Sequence, residues 1–137
     1  MSTPEQRLRM AEAIKNFEAR RDLQGRLVVY HPPGNDGGGA YEVAGINERY
    51  DADMCDQLVA MVNAGQFDQA EAAATEYIAK NTDVVAPWSD VAAVEFYLRD
   101  SKFNRGLGGV SRILRRTLGT GDTGGVNSET LIALAAA

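Results

Sequence analysis

The chain has 137 residues, of which 45% are hydrophobic and 24% charged, the balance of an ordinary globular protein long enough to bury a core. Its formal net charge of -5 argues against nucleic acid as the main partner. With one histidine and one cysteine, Cys55, an internal disulfide is excluded and too few ligands remain for a zinc site, so we expect no metal and no cofactor.

Residues 1–7 lack the apolar stretch of a secretory signal peptide, and no run is long enough to span a membrane. We therefore expect a protein that is made in the cytoplasm and has no stable membrane insertion. Because no repeat and no long linker divides the sequence, residues 1–137 are predicted to form a single domain. Within it, residues 1–50 would hold a helix and a hairpin, and residues 51–137 a helical bundle.

The first helix is predicted from its capping signals. Thr3 and Gln6 have the spacing of a capping box, and Pro4 favours the first helical position. Apolar residues then recur at helical spacing, namely Leu8, Ala11, Ile14 and Phe17.

Glu18 is the first candidate for chemistry. It lies four residues after Ile14 and therefore continues the apolar face of the helix, where partial desolvation disfavours the charged form of a carboxyl group. An interpretation of equal weight is that Glu18 only forms an ion pair with Arg20 or Arg21 at the helix end.

Two β-rich runs, residues 27–30 and 41–44, flank a stretch rich in Pro and Gly and predict an irregular hairpin with a long tip. The three glycines at 37–39 fit a flexible tip better than a phosphate cradle, because no Lys-Ser/Thr pair follows them. The hairpin offers two further carboxylates, Asp36 in the turn and Glu42 on the returning strand. His31 is interpreted as a bystander.

From residue 51 onwards the sequence predicts helices, giving a mainly α (α+β) fold. The predicted elements are a helix over 52–63 with Asp51 as its cap and Gly65 as its stop, a helix over 67–80, a helix opened by residues 87–89, a Gly-rich stretch over 103–109 leading into another helix, a turn over 119–125, and a last helix over 129–137 capped by Asn127 or Ser128. The arginines Arg112, Arg115 and Arg116 are interpreted as a solvated helix face.

The C-terminal third resembles the predicted peptidoglycan-binding region of glycoside hydrolase family 108. That region typically carries Phe-Asn-x-Gly, a Leu-Gln-Arg-x-Leu-Gly helix and a Gly-x-x-Thr-Leu ending. The matching residues here are Phe103-Asn104-Arg105-Gly106, Leu114-Arg115-Arg116-Thr117-Leu118-Gly119 and Asn127-Ser128-Glu129-Thr130-Leu131. Arg115 stands in the place of the usual Gln, and Asn127-Ser128 in the place of Gly-Pro.

The N-terminal part is similar to the same family in its order of helix, acid and ribbon. The family places its catalytic glutamate at the end of helix 1, followed by a Gly-Gly turn and a Gly-Ile strand end. This chain has Glu18, Gly38-Gly39 and Gly45-Ile46 at the corresponding points. Glu18 is followed by Ala19-Arg20-Arg21 where the family has Gly-Gly-Tyr. The hairpin also resembles that of chitosanase-type relatives of lysozyme.

The resemblance implies a lysozyme-like domain, with residues 103–134 as its peptidoglycan-binding-like part. It further implies a muramidase, a glycoside hydrolase that cuts the β-1,4 bond between N-acetylmuramic acid and N-acetylglucosamine in the cell wall. Such an enzyme acts at the wall or periplasm after release or export, through a holin or a secretion apparatus. Two alternatives stay open: a non-catalytic peptidoglycan-binding or structural module with the same fold, and a chitosanase-like enzyme acting on a related amino-sugar polymer.

In the muramidase hypothesis Glu18 is the general acid. Glu42 is the preferred second carboxylate and Asp36 the next choice. Tyr30 and Tyr41 are expected either to stack on sugar rings or to pack across the strands. The Phe-Asn-x-Gly match adds two further expected substrate contacts, Asn104 and Arg105.

Overall fold

The computed structural model describes residues 1–34, 39–121 and 124–137. Over these residues the chain has five α-helices and one two-stranded antiparallel sheet that follows the first helix, which confirms the predicted fold class. The elements are α1 Pro4–Glu18, β1 Glu42–Val43, β2 Ile46–Asn47, α2 Ala52–Asn63, α3 Phe67–Thr82, a 3-10 helix Asp83–Trp88, α4 Ala92–Leu118 and α5 Ser128–Ala136. None of the helices in these ranges has the length and apolarity needed to cross a bilayer.

The chain forms two compact units. The first, named here the helical unit, consists of Met1–Met10 and Ala79–Ala137, and the second, the ribbon unit, consists of Ala11–Ile78. Helices α1 and α3 each contribute residues to both units. The boundary that the sequence suggested at residue 50 falls inside the ribbon unit, which holds the hairpin together with α2 and most of α3.

Helix α1 begins as its sequence predicts. The Gln6 amide donates to the Thr3 hydroxyl at 3.1 Å, and the Thr3 amide donates to the Gln6 side chain at 2.8 Å, which completes the capping box. The prediction that Phe17 belongs to the apolar stripe is wrong, since 76% of this residue is exposed. The buried face instead runs through Ala11, Ile14 and Lys15, which turns Phe17 towards solvent.

The extended part of the ribbon unit differs from the predicted long hairpin. Strands β1 and β2 are joined by a two-residue turn in which Ala44 (φ 55°) and Gly45 (φ 79°) both adopt left-handed conformations, as in a type I′ turn. The predicted run over 41–44 therefore ends at the turn. Its pairing with the run over 27–30 is reduced to one bridge, between Tyr30 and Glu42. We call the paired segments 20–30 and 39–47 the ribbon.

Helix α2 ends at Asn63, and Gly65, the predicted stop, lies two residues further on. The amide of Gln66 donates to the Met61 carbonyl and Gly65, at φ 75°, donates to the Val62 carbonyl, which is the glycine-ended pattern expected there. Asp51 is the N-cap residue of α2 as predicted, but its side chain makes no capping hydrogen bond. Its carboxylate accepts a hydrogen bond from the Tyr77 hydroxyl of α3 instead.

The range of α4, 27 residues, holds two helical segments that meet at a kink, as expected from the Gly-rich stretch that the sequence places between two helices. The interruption is confined to Gly106, whose φ of 74° and ψ of 174° lie outside the helical region. Gly109 is needed on the following turn, because a Cβ there would lie 2.6 Å from the Cβ of Arg105. Residues 87–89 do not open this helix; they lie at the end of the 3-10 helix, and α4 begins at Ala92.

The core of the helical unit is formed by α4, α5 and the 3-10 helix. Its buried residues are Val85, Leu98, Val110 and Leu114, with Trp88, Val94, Leu118, Val126 and Leu134 packed against them. The prediction of a fully solvated arginine face is wrong for Arg115, which is 9% exposed. Its guanidinium donates to the carbonyls of Thr120 and Gly125 and to the Thr130 hydroxyl, so it holds the chain between α4 and α5.

A buried ion pair stabilises the start of α4. The Nε of Arg99 donates to the Glu95 carboxylate at 2.8 Å, and both residues are 1% exposed. Arg99 also donates to the Thr82 hydroxyl at 3.0 Å and to Asp83 at 3.0 Å. The hydrogen bond from Arg7 lowers the pKa of Asp83, and that from Arg99 adds to this effect in spite of burial.

Replacing Arg99 with methionine should lower the free energy of unfolding by about 3 kcal/mol, because the Glu95 carboxylate stays buried without its cation. Urea denaturation of the variant and of Arg112→Met, which alters an exposed arginine of the same helix, measures the difference. An Arg99→Met variant as stable as Arg112→Met would contradict the assigned role of the pair.

Candidate functional site

Glu18 is the last residue of α1 and is half-buried. Within the described parts of the chain its side chain has no hydrogen bond and no ion pair. The interpretation that Glu18 only pairs with Arg20 or Arg21 is therefore not what the structure shows. Arg21 is bound to Glu71 on α3, and Arg20 lies over the ring of Tyr30.

The chain turns from helix to ribbon directly after Glu18. The amide of Ala19 donates the last α1 hydrogen bond, to the Lys15 carbonyl, and the Val28 amide then donates to the Arg20 carbonyl at 3.2 Å. The reversal between them is stabilised by Asp22. The carboxylate of Asp22 accepts hydrogen bonds from the Arg26 amide, the Arg26 side chain and the Gln24 amide. These hydrogen bonds, of which that from the Arg26 amide has the largest effect, hold the pKa of Asp22 below its ordinary value.

Glu71 of α3 binds a residue before this turn and a residue within it. Its carboxylate lies 2.8 Å from Nζ of Lys15 and accepts hydrogen bonds from both terminal nitrogens of Arg21, one of them at 3.0 Å. Lys15 is only 3% exposed and also donates to the Thr75 hydroxyl at 3.1 Å. We name Lys15, Arg21, Glu71 and Thr75 the Glu71 clamp. Since Lys15 precedes Glu18 by three residues and Arg21 follows it by three, the clamp fixes the backbone on both sides of the candidate acid.

The titration of Glu71 reflects this arrangement. Burial is the largest single effect and raises the pKa of Glu71, but the hydrogen bonds and charges of Arg21 and Lys15 together outweigh it. The pKa of Glu71 therefore lies below its ordinary value. Sequence analysis missed this residue, because no local signal links Glu71 to a turn fifty residues earlier.

The ribbon brings Glu42 next to Tyr30. The two residues exchange both backbone hydrogen bonds at 2.8 Å, so their side chains leave the same face of the ribbon. The guanidinium of Arg20 lies 4.7 Å from the centre of the Tyr30 ring. Val28 pairs with Arg20, and the two segments are antiparallel. Tyr30, two residues after Val28, therefore lies towards the end of α1. Arg20, Tyr30 and Glu42 lie together on the ribbon, and with Glu18, two residues before Arg20 in the chain, we take them as the candidate site of the ribbon unit.

Tyr41 is bound to α2 through its hydroxyl group. Its hydroxyl donates to the Asp56 carboxylate on α2 at 2.6 Å, and this hydrogen bond is the main cause that raises the pKa of Tyr41 to about 12. His31 lies beside it, with ring centres 6.4 Å apart and Nδ1 3.3 Å from the Ala40 carbonyl oxygen. Among the described residues no ring contact joins Tyr41 to Tyr30.

The remaining sequence candidates are placed as follows. Asp36, together with Gly37 and Gly38, lies outside the described residues. Asn104 and Arg105 belong to the helical unit, where both are exposed beside the Gly106 kink. The Asn104 amide donates to the carbonyl and the side chain of Asp100, one turn earlier.

Two further observations concern metals and nucleophiles. Among the described residues, no group of three or more His, Cys, Asp or Glu side chains is placed to hold a metal ion. Cys55 is buried, and burial is the main cause that raises the pKa of its thiol to about 11. A thiol that keeps its proton at neutral pH is a poor nucleophile, so Cys55 is not a candidate for nucleophilic catalysis.

The chain matches no protein-family model, no curated protein and no solved structure. The resemblance to glycoside hydrolase family 108 therefore stays a prediction that rests on the sequence motifs.

Replacing Glu71 with glutamine should lower the free energy of unfolding at about pH 7 by about 2 kcal/mol, because Lys15 and Arg21 lose a charged acceptor. A group with a lowered folded-state pKa contributes stability above its unfolded-state pKa, about 4.3 for glutamate, and this contribution is lost as the pH falls through the folded-state value. Urea denaturation should therefore show a much smaller difference between wild type and variant at about pH 3. Glu12→Gln, an exposed change on α1, is the matched control. An equal loss at both pH values would contradict the clamp.

Proposed function

We propose that this protein is a muramidase-type glycoside hydrolase that cleaves β-1,4 bonds of peptidoglycan with Glu18 as general acid. The observation that carries the proposal is the position of Glu18: it ends a rigid helix, has no partner among the described residues, and immediately precedes the ribbon that presents Glu42 beside Tyr30. Glycoside hydrolysis requires two carboxyl groups, and here an acid on a helix and a second carboxylate on the ribbon would supply them. The family-108-like motifs support the same assignment independently.

Glu18 would act by proton transfer. Its carboxylic acid gives a proton to the oxygen of the leaving sugar while the bond from that oxygen to the anomeric carbon breaks. Water then adds to the anomeric carbon and returns a proton to Glu18. The fixed backbone of the Glu71 clamp supports this role, because an acid catalyst must hold its position relative to the scissile oxygen.

Glu42 would be the second carboxylate. It would stabilise positive charge that develops on the sugar ring or would remove a proton from the attacking water. Tyr30, on the same face of the ribbon, would offer a flat apolar surface to a sugar ring. Both residues are set by one pair of backbone hydrogen bonds, so their relative position depends on the ribbon's register and not on a mobile loop.

A non-catalytic peptidoglycan-binding module is the second candidate. Ala19 and Arg20 follow Glu18 where the family motif has two glycines, and this substitution favours a protein that kept the fold without the reaction. Purified peptidoglycan separates the candidates: a hydrolase releases new reducing ends, and a binding module sediments with the wall without releasing any.

Replacing Glu18 with glutamine should preserve the fold and reduce the release of reducing ends by about 100-fold or more, because the amide cannot donate a proton to the leaving oxygen. Turbidity of a peptidoglycan suspension and a reducing-end assay measure the effect. The matched control is Glu12→Gln, since Glu12 is an exposed glutamate of the same helix.

Circular dichroism and the thermal midpoint should be unchanged in both variants, so that lost activity reports chemistry and not unfolding. A Glu18→Gln variant that clears peptidoglycan at the wild-type rate would reject the catalytic assignment.

A further inference from the structure

The cations of the ribbon are not equivalent. Arg21 is bound to Glu71 in the clamp, and Arg26 forms an ion pair with Asp22 at 2.9 Å. Arg20 is exposed and lies against Tyr30, and no carboxylate among the described residues is within ion-pair distance of it. Of the three arginines between the end of α1 and Tyr30, Arg20 is therefore the one that has no ion-pair partner among the described residues.

The contact with Tyr30 restricts the Arg20 guanidinium in a position from which it can bind an anion. At 4.7 Å from the ring centre it is held by a cation–π interaction, which restricts the side chain but leaves the nitrogen edges of the planar group free to donate. A guanidinium edge matches a carboxylate with two parallel hydrogen bonds. Restricting the arginine in advance reduces the entropy lost when such a ligand binds.

We propose that Arg20 is a specificity-determining residue that binds a carboxylate group of the glycan substrate. This inference rests on the proposed function, because it assigns Arg20 to the same site as Glu18, two residues earlier. In peptidoglycan the carboxylate has two sources, the lactyl group of N-acetylmuramic acid and the peptide stem. The unmatched cation also disfavours chitosan, whose amino groups are positively charged, and gives no advantage to neutral chitin.

Binding tests the inference separately from cleavage. All proteins carry Glu18→Gln so that the glycan survives, and dissociation constants are measured by calorimetry for three ligands of equal chain length. The ligands are glycan strands with free lactyl carboxylates and no peptide, strands that retain their peptide stems, and neutral chitin oligosaccharides. The first two ligands separate the two sources of the carboxylate.

The protein with Arg20 intact should bind at least one carboxylate-bearing strand about fivefold more tightly than the neutral oligosaccharide, since an exposed ion pair contributes about 1 kcal/mol. Adding Arg20→Gln should abolish this preference, because glutamine keeps a planar polar end against Tyr30 without the charge. Arg20→Lys should keep part of it. Arg26→Gln, the matched change in an already paired arginine, should leave the preference in place.

Added salt should weaken the Arg20-dependent preference and not the binding of the neutral ligand. If the variant with Arg20→Gln prefers carboxylate-bearing strands as strongly as its parent, the inference is wrong even when wild-type protein cleaves peptidoglycan. If the preference depends on Arg20 but wild-type protein releases no reducing ends, the hydrolase proposal fails while carboxylate recognition stands.

Discussion

The ribbon unit depends on one carboxylate. Lys15 carries its ammonium group into the interior, where an unpaired charge would be strongly unfavourable, and Glu71 of α3 supplies the compensating charge. The same carboxylate binds Arg21, so the chain that leaves α1 is fastened to α3 directly after the helix ends. Glu18, between the two cations in sequence, is thereby presented by a backbone that is fixed on both sides. If the clamp were lost, the acid, the ribbon and the pairing of Glu42 would lose their common support.

The two adjacent arginines, Arg20 and Arg21, have different roles: Arg21 stabilises the fold, and Arg20 is the one proposed to bind a ligand. Consecutive side chains of an extended chain leave opposite faces, so Arg21 reaches α3 while Arg20 lies on the face that carries Tyr30. The Arg21 guanidinium is bound to Glu71 within the fold, and the Arg20 guanidinium keeps its donors for a ligand. The face that carries Tyr30 therefore combines an aromatic ring with a cation and, through the pairing of Tyr30, the carboxylate of Glu42.

Local signals in the sequence were enough to predict the end of α2 and the cap of α5, but not the start of α4. Gly65 ends α2 through its left-handed conformation, and Asn127 caps α5, because such rules involve only neighbouring residues. Burial of Lys15 and Arg115 could not be predicted, since a charged side chain is expected at the surface unless a distant partner compensates for it. For the candidate site, helical periodicity predicts that Glu18 shares the face of Ala11 and Ile14, and the structure leaves Glu18 half-buried. Whether its neighbours pair with it depends on residues far along the chain, which no local pattern reveals.

The central claim is that the ribbon unit supports hydrolysis of a muramyl bond, and the chemistry of the new chain end tests it most directly. Purified peptidoglycan is incubated with the wild-type protein, the released ends are reduced with borohydride, and the reduced sugars are identified after acid hydrolysis. The account predicts that reduced muramic acid accumulates with time. Reduced glucosamine alone, or no new reduced sugar while the protein remains folded and bound to the wall, would contradict it.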